Sequence, residues 1–182
     1  AAFAYLALKF PLRWQRTVMH STTQIIVDFL GSIGIPVCEG QVAADSFLPG
    51  LCIRHGSLVY DRNALHWPGD LLHEAGHIAT VPAAIRSLLN DSLDELPSTP
   101  HGGEVEATAW AYAAIIHLGL PLTVLFHPGG YDGKSAQLIA TYELGVYPGC
   151  FGLAQAGMTS LSANAALEGV PAYPHMIRWL RE

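Results

Sequence analysis

The sequence has few charged residues and no cluster of positive charge. Only 13% of its 182 residues are charged, and nine Lys and Arg against fifteen Asp and Glu give a formal net charge of −6. A protein that binds nucleic acid through its phosphates needs a basic stripe or patch. The composition therefore argues against a nucleic-acid partner.

Long hydrophobic runs are also missing, although 51% of the residues are hydrophobic. A membrane-spanning helix needs about 18 consecutive apolar residues, and the opening stretch AAFAYLALKF is shorter and is followed by Pro11 and Arg13. Its positive charges follow the apolar residues, whereas those of a signal peptide precede them. We expect neither a membrane span nor a signal peptide, and hence a cytoplasmic protein with no membrane partner.

Cysteine is scarce and scattered. Cys38, Cys52 and Cys150 lie far apart, and no C-x-x-C pair is present. Such a set predicts reduced thiols in a reducing compartment and argues against a disulfide framework or a thiolate metal site. Histidine, in contrast, occurs nine times, which raises the question of metal binding.

Hydrophobic periodicity and turn residues predict a mostly helical α+β fold, which we expect to form one domain over residues 1–182. LCIRHGSLVYD predicts two strands joined by a His55-Gly56 turn. The predicted helices, in chain order, are TTQIIVDFLG, which ends near Gly31 before a short extended segment, PGDLLHEAGHIAT, AAIRSLLNDSLDE, EVEATAWAYAAIIHLG, SAQLIATYEL and HMIRWLR. In the first of these, four residues are expected to share one face: Ile25, Ile26, Phe29 and Leu30.

The segment HEAGH is the strongest functional signal. His73 and His77 are four residues apart and project from the same helix face, so their imidazoles can converge on one ion. Glu74 lies about 100° further round the helix and can reach a water without being a ligand. Zinc lowers the pKa of such a water and the carboxylate takes its proton, which is why H-E-x-x-H recurs in metallopeptidases.

A hydrolytic zinc site needs a third protein ligand. The extended pattern with a histidine six residues after His77 is absent, because that position is Ala83. Residue types leave four candidates: His101, Glu104, Glu106 and His117. Two glutamates two residues apart on a helix point about 200° apart, so only one of Glu104 and Glu106 can face the site, and helix geometry alone does not choose between them.

GDLLHEAGHIA followed by EVEATAWAYAAII resembles the ImmA/IrrE family of bacterial zinc-peptidase-like proteins over roughly residues 20–120. In that family an H-E-x-G-H helix is followed by a helix whose first glutamate is a zinc ligand. The resemblance implies Glu104 as the third ligand and a compact glutamate-zincin core, in which a small sheet packs on two ligand-bearing helices. Thr108 replaces the usual Asn, so a hydroxyl would have to orient a zinc histidine. Residues 121–182 lie outside the resemblance and are predicted to form a helical C-terminal part.

Other polar residues receive separate predictions. A peptidase needs a group that stabilises the oxyanion, and the candidates near the C-terminus are Tyr147, Tyr173, His175 and Arg178, with His175 preferred. Trp67 is expected in the core and Asp70 as the cap of the H-E-x-x-H helix. HPGGYDGKS lacks the spacing of a phosphate-binding loop, and we reject that interpretation.

Three hypotheses of function follow. The first is a zinc metallopeptidase that binds Zn²⁺ through His73, His77 and Glu104, uses Glu74 as general base and acts on a peptide or protein substrate. The second is a metal-binding regulatory or structural domain with little or no hydrolysis, and the third is a helical interaction domain without metal. The high apolar content suits an association surface such as that of a homo-oligomer, and the family resemblance implies a regulatory protein partner.

Overall fold

A computed structural model of the chain describes residues 12–43, 46, 48–91, 103–161, 165, 167 and 169–182, with side chains from residue 21 onward. It is an α+β fold, as the sequence predicts. Its elements, in chain order, are α1 (Leu12–Ser32), β1 (Val37–Glu39), β2 (Leu51–Arg54), β3 (Ser57–Tyr60), α2 (Asp70–Thr80), α3 (Ala83–Arg86), α4 (Glu104–His117), α5 (Leu122–Leu125), a 3₁₀ turn (Tyr131–Gly133), α6 (Ser135–Glu143) and α7 (Cys150–Gln155). No helix in these ranges has the length and apolar character needed to cross a bilayer.

The three strands form one small sheet in the order β1-β3-β2. Strands β2 and β3 form the predicted hairpin, in which Leu51 pairs with Tyr60 and Arg54 with Ser57. Both turn residues have positive φ, 48° at His55 and 71° at Gly56, as the two-residue hairpin turns that match strand twist require. Strand β1 runs parallel to β3 on its other edge.

Helices α2 and α4 pack against each other at the centre of the core. The apolar residues Leu71, Leu72 and Ile78 of α2 and Trp110 of α4 are completely buried. Helix α1 contributes Ile26, Phe29 and Leu30 to the same core. The prediction that Ile25 shares this buried face is wrong, because Ile25 is 43% exposed; it lies about 100° from Ile26 around the helix.

Two predicted helices are shorter or absent. The segment that begins at Ala83 is helical only to Arg86, because Asn90 and Asp91 accept hydrogen bonds from the backbone N–H groups of His55 and Ile53 in the hairpin. Its part beyond residue 91 lies outside the described residues.

The C-terminal segment HMIRWLR is not helical, and that prediction is wrong. It runs across the core instead, where Arg181 N–H donates to the Ala79 carbonyl over 2.9 Å and the Trp179 carbonyl accepts from Trp110 Nε1 over 2.8 Å. Backbone groups that a helix would pair internally are used here to hold the tail on α2 and α4.

Candidate metal centre

His73 and His77 lie one turn apart on α2, as their spacing predicts. His77 is buried and His73 is half-buried, and their rings are nearly perpendicular with centroids 5.0 Å apart. The helix begins at Asp70, and the N-cap residue is Gly69. The prediction of Asp70 as a side-chain cap is therefore wrong: no side-chain cap bond is made, and the Asp70 carboxylate has another partner, described below.

Glu104, the first residue of α4, reaches both histidines. Its Oε2 lies 3.1 Å from His73 Nε2 and its Oε1 lies 3.3 Å from His77 Nε2. A close approach of the two helices makes this possible, since a Cβ atom added at Gly76 would lie 2.5 Å from the Ala107 carbonyl oxygen. The glycine inside H-E-A-G-H therefore lets α4 come near enough for its first side chain to meet the histidines.

Two of the other candidate ligands, Glu106 and His117, make contacts elsewhere. The Glu106 carboxylate is 3.7 Å from Arg181 Nη1 and packs against Gly152 of α7. His117 packs on the rings of Phe29 and Trp179, at centroid distances of 5.6 and 5.3 Å. His101 lies outside the described residues. Among the alternatives left open by the sequence, the geometry therefore favours Glu104.

The pKa values of the two glutamates beside the histidines, Glu104 and Glu74, are shifted in opposite directions. Hydrogen bonds from His73 and then His77 hold the pKa of Glu104 well below its usual range, although burial acts against them. Burial raises the pKa of Glu74, and the charges of Glu104 and Asp70 add to this rise, while His77 and His73 oppose it. The carboxylate in contact with the histidines is thus kept ionised, and the neighbouring one is made a better proton acceptor.

The three side chains could together hold a metal ion. The ligand atoms of His73, His77 and Glu104 all lie within 4.8 Å of one another. At metal–ligand distances of about 2.0–2.2 Å, the ligand atoms of a tetrahedral site lie about 3.3–3.6 Å apart. Each histidine Nε2 lies near that distance from one of the two Glu104 oxygens, His73 at 3.1 Å from Oε2 and His77 at 3.3 Å from Oε1. Two imidazoles and one carboxylate are also the ligand types of catalytic zinc sites with one open position.

The hydrogen-bond support of His73 is incomplete in the described part of the chain. Zinc-bound histidines usually donate their second ring N–H to a neighbouring acceptor. His73 Nδ1 is buried with no hydrogen-bond partner. Thr108 is half-buried, and no described hydrogen bond joins its hydroxyl to either histidine.

Asp70, His127 and Trp67 form a group beside the cluster that the sequence did not predict. His127 Nε2 lies 2.7 Å from Asp70 Oδ1, and the His127 ring stacks on the Trp67 indole at a centroid distance of 4.6 Å and an angle of 8°. Trp67 is 38% exposed, so its predicted place in the core is wrong: its ring covers the His127 ring from outside.

Tyr131 is a second residue that the sequence did not single out. Its ring meets His73 edge-on, with centroids 5.7 Å apart at 87°, and it also contacts Phe126 at 5.2 Å. Burial raises the pKa of the Tyr131 phenol above its ordinary value, and the nearby carboxylates Asp70, Glu104 and Glu74 raise it further. The only sequence signal was its place in the glycine-rich segment HPGGYDG, which does not indicate where the ring lies.

The four residues predicted as oxyanion stabilisers make the following contacts. His175 is exposed, and its carbonyl accepts a hydrogen bond from Thr159 over 2.6 Å. Tyr173 is buried and donates to the Ala109 carbonyl over 2.8 Å, while Tyr147 packs on its ring at 4.9 Å. Arg178 forms an ion pair with Glu182. The side chains of Tyr147, Tyr173 and Arg178 thus have structural contacts, whereas for His175 only the backbone carbonyl does.

Comparisons with protein-family models, curated proteins and solved structures gave no match for this chain.

Proposed function

We propose that this protein is a zinc-dependent hydrolase that cleaves peptide bonds. The observation that supports the proposal is the convergence of His73, His77 and Glu104 from two helices, with all ligand atoms within 4.8 Å of one another. A zinc ion bound there would polarise a water molecule and the substrate carbonyl. The H-E-x-x-H pattern and the family resemblance supply the substrate class, a peptide or protein.

Glu74 is the general base in this proposal. It follows His73 directly and lies about 100° further round the helix, so its carboxylate is beside the metal ligands without belonging to them. It takes a proton from the attacking water and returns it to the leaving amine. The Glu104 side chain is 72% exposed, so the substrate reaches the ligands from the solvent-facing side of Glu104.

The second candidate is a metal-binding regulatory or structural domain. It uses the same three ligands but does not require Glu74 to act. It is favoured by the absence, among the described residues, of a hydrogen-bond partner for His73 Nδ1, because catalytic zinc ligands are usually held in place by such partners.

Zinc binding to the Glu104→Gln and Glu106→Gln variants tests the ligand assignment. The wild-type protein, stripped with a chelator and titrated with zinc, should bind one ion per chain. Because loss of a supporting partner alone costs about 10–100-fold in affinity, loss of the Glu104 ligand should cost at least that much, whereas Glu106→Gln should bind like wild type. Zinc loss in Glu106→Gln alone would contradict the assignment.

Hydrolysis of fluorescein-labelled casein separates the two functions. Glu74→Gln should bind zinc normally and lose activity by about 10²–10⁴-fold, as expected for a general base. A wild-type protein that binds zinc but cleaves no faster than this variant would support the regulatory role. A wild-type protein that binds no zinc would rule out both.

A further inference from the structure

The loop of residues 126–133 joins α5 to α6 and carries Tyr131 to the candidate metal centre. Tyr131 and Asp132 have φ values of 57° and 51°, in the left-handed region that residues other than glycine rarely occupy. Such a conformation persists only where the surroundings hold it in place. The structure should therefore contain specific contacts that fix this loop.

Those contacts connect the loop to the first turn of α2. His127 is buried and its Nε2 lies 2.7 Å from Asp70 Oδ1, one turn before His73. The His127 carbonyl accepts a hydrogen bond from Ser135 over 2.6 Å. A Cβ atom at Gly130 would lie 3.0 Å from His127 Cε1, so the chain passes directly over the imidazole. The loop is thus tied to the same helix that carries the histidines.

This attachment places the Tyr131 ring between the loop and the metal ligands. The ring is edge-on to His73 at a centroid distance of 5.7 Å and is flanked by Phe126 at 5.2 Å and His127 at 6.3 Å. Contacts with three aromatic rings hold the Tyr131 ring in place beside His73. A phenol held beside a hydrolytic centre is a suitable donor to an oxygen that becomes negative during the reaction.

We propose that Tyr131 is a further catalytic residue whose O–H donates a hydrogen bond to the substrate carbonyl oxygen as negative charge develops on it. The inference rests on the proposed hydrolase function. It assigns the oxyanion contact to Tyr131 in place of the candidates near the C-terminus, and it makes Asp70 and His127 positioning residues for the loop.

The chemical step can be written for this chain's own groups. The water oxygen attacks the carbonyl carbon, a C–O bond forms, the carbonyl π electrons move onto oxygen, and Glu74 takes the water proton. The C–N bond then breaks, the carbonyl re-forms, and Glu74 returns the proton to the leaving amine. Tyr131 keeps its own proton throughout and donates most strongly while the carbonyl oxygen is negatively charged.

The test compares Tyr131→Phe with Tyr60→Phe, which removes a hydroxyl from strand β3. Phenylalanine keeps the ring contacts, so zinc content and melting temperature should match wild type in both. With labelled casein, kcat of Tyr131→Phe should fall about 10²–10³-fold, the usual effect of removing one oxyanion donor, with KM changed less than about twofold because the bond forms mainly in the transition state. Tyr60→Phe should remain fully active.

Inhibitor binding provides a readout that does not depend on turnover. A dipeptide phosphonamidate carries a tetrahedral anionic group and should bind Tyr131→Phe more weakly by a factor similar to the loss in kcat. Acetohydroxamate binds through the metal alone, so its affinity should be the same for wild type, Tyr131→Phe and Tyr60→Phe.

Each outcome has one interpretation. Wild-type kcat and wild-type phosphonamidate affinity in Tyr131→Phe would overturn the role of Tyr131 while leaving the hydrolase intact. A Glu74→Gln variant that cleaves as fast as wild type would instead show that the proposed function is wrong. A wild-type protein that binds zinc but neither cleaves casein nor binds the phosphonamidate would overturn both.

Discussion

At the residue scale, Asp70 and His127 form a short hydrogen bond beside the candidate metal centre. The atoms are 2.7 Å apart, and the side chains are only 16% and 3% exposed. A hydrogen bond between a carboxylate and an imidazole N–H is strong in such surroundings, because water does not compete for either group. The pair therefore both stabilises the fold and fixes the loop that carries Tyr131.

We expect a double-mutant cycle with Asp70→Ala and His127→Phe to show a coupling of about 1.5–3 kcal/mol, the range for hydrogen bonds to charged groups. The measurement is the free energy of unfolding in urea for wild type, both single variants and the double variant. The exposed pair of Arg62 and Glu39, 2.8 Å apart, is the control and should couple by less than about 1 kcal/mol. If the losses in free energy of unfolding of the two single variants simply added up in the double variant, the Asp70–His127 hydrogen bond would not stabilise the fold.

At the scale of elements, the distances within the candidate metal centre depend on the close approach of α2 and α4 at Gly76. Position 76 has no space for a methyl group, because the Ala107 backbone occupies it. Any side chain there must push the helices apart. Since the histidines are on one helix and Glu104 on the other, such a displacement would change the distances within the cluster.

Gly76→Ala should therefore lower both stability and zinc affinity. Overpacking in a close contact costs about 1–3 kcal/mol, which urea unfolding would detect, and a zinc titration would show weaker binding. Gly31→Ala is the matched control: it lies one residue before the end of α1, where an added Cβ meets nothing within 4 Å, and it should stabilise the helix by no more than about 0.5–1 kcal/mol. Equal zinc affinity in Gly76→Ala and wild type would show that the helix spacing does not set the site.

At the scale of the whole molecule, the C-terminal tail joins elements that are distant in sequence. The Trp179 ring packs on Phe29 of α1 at 5.0 Å and on Trp110 of α4 at 5.5 Å. Arg86 Nε caps the end of α2 by donating to the Ile78 carbonyl over 3.0 Å, and its guanidinium also donates to the Arg181 carbonyl. The tail thus fastens the helices that carry the candidate ligands.

Replacing Trp179 with Ala should lower the free energy of unfolding by about 2–3 kcal/mol, somewhat less than for a completely buried Trp. Chemical denaturation of the variant measures this loss. Phe151→Ala removes an aromatic side chain that is 61% exposed and should change stability by no more than about 0.5 kcal/mol. If Trp179→Ala were as stable as Phe151→Ala, the tail would be only loosely held.

The sequence by itself determined the α+β class, the hairpin, most of the helices and the convergence of His73 with His77. These features depend on local chemistry, namely turn residues, hydrophobic period and the fixed spacing of side chains on one helix. For the same reason the sequence could predict that only one of Glu104 and Glu106 faces the site. The resemblance to a known family then pointed to Glu104.

Only the tertiary structure decided the features that depend on contacts between distant segments. It placed Glu104 at both histidines and Glu106 at Arg181, because the rotation of α4 is set by its packing on α2. Helix α3 ends after Arg86, because the side chains of Asn90 and Asp91 accept hydrogen bonds from the hairpin backbone. The C-terminal tail is not helical because its backbone groups bond to α2 and α4. The tertiary structure also brought Tyr131 to His73 through the contact of His127 with Asp70, since no local pattern encodes a contact between residues 57 positions apart.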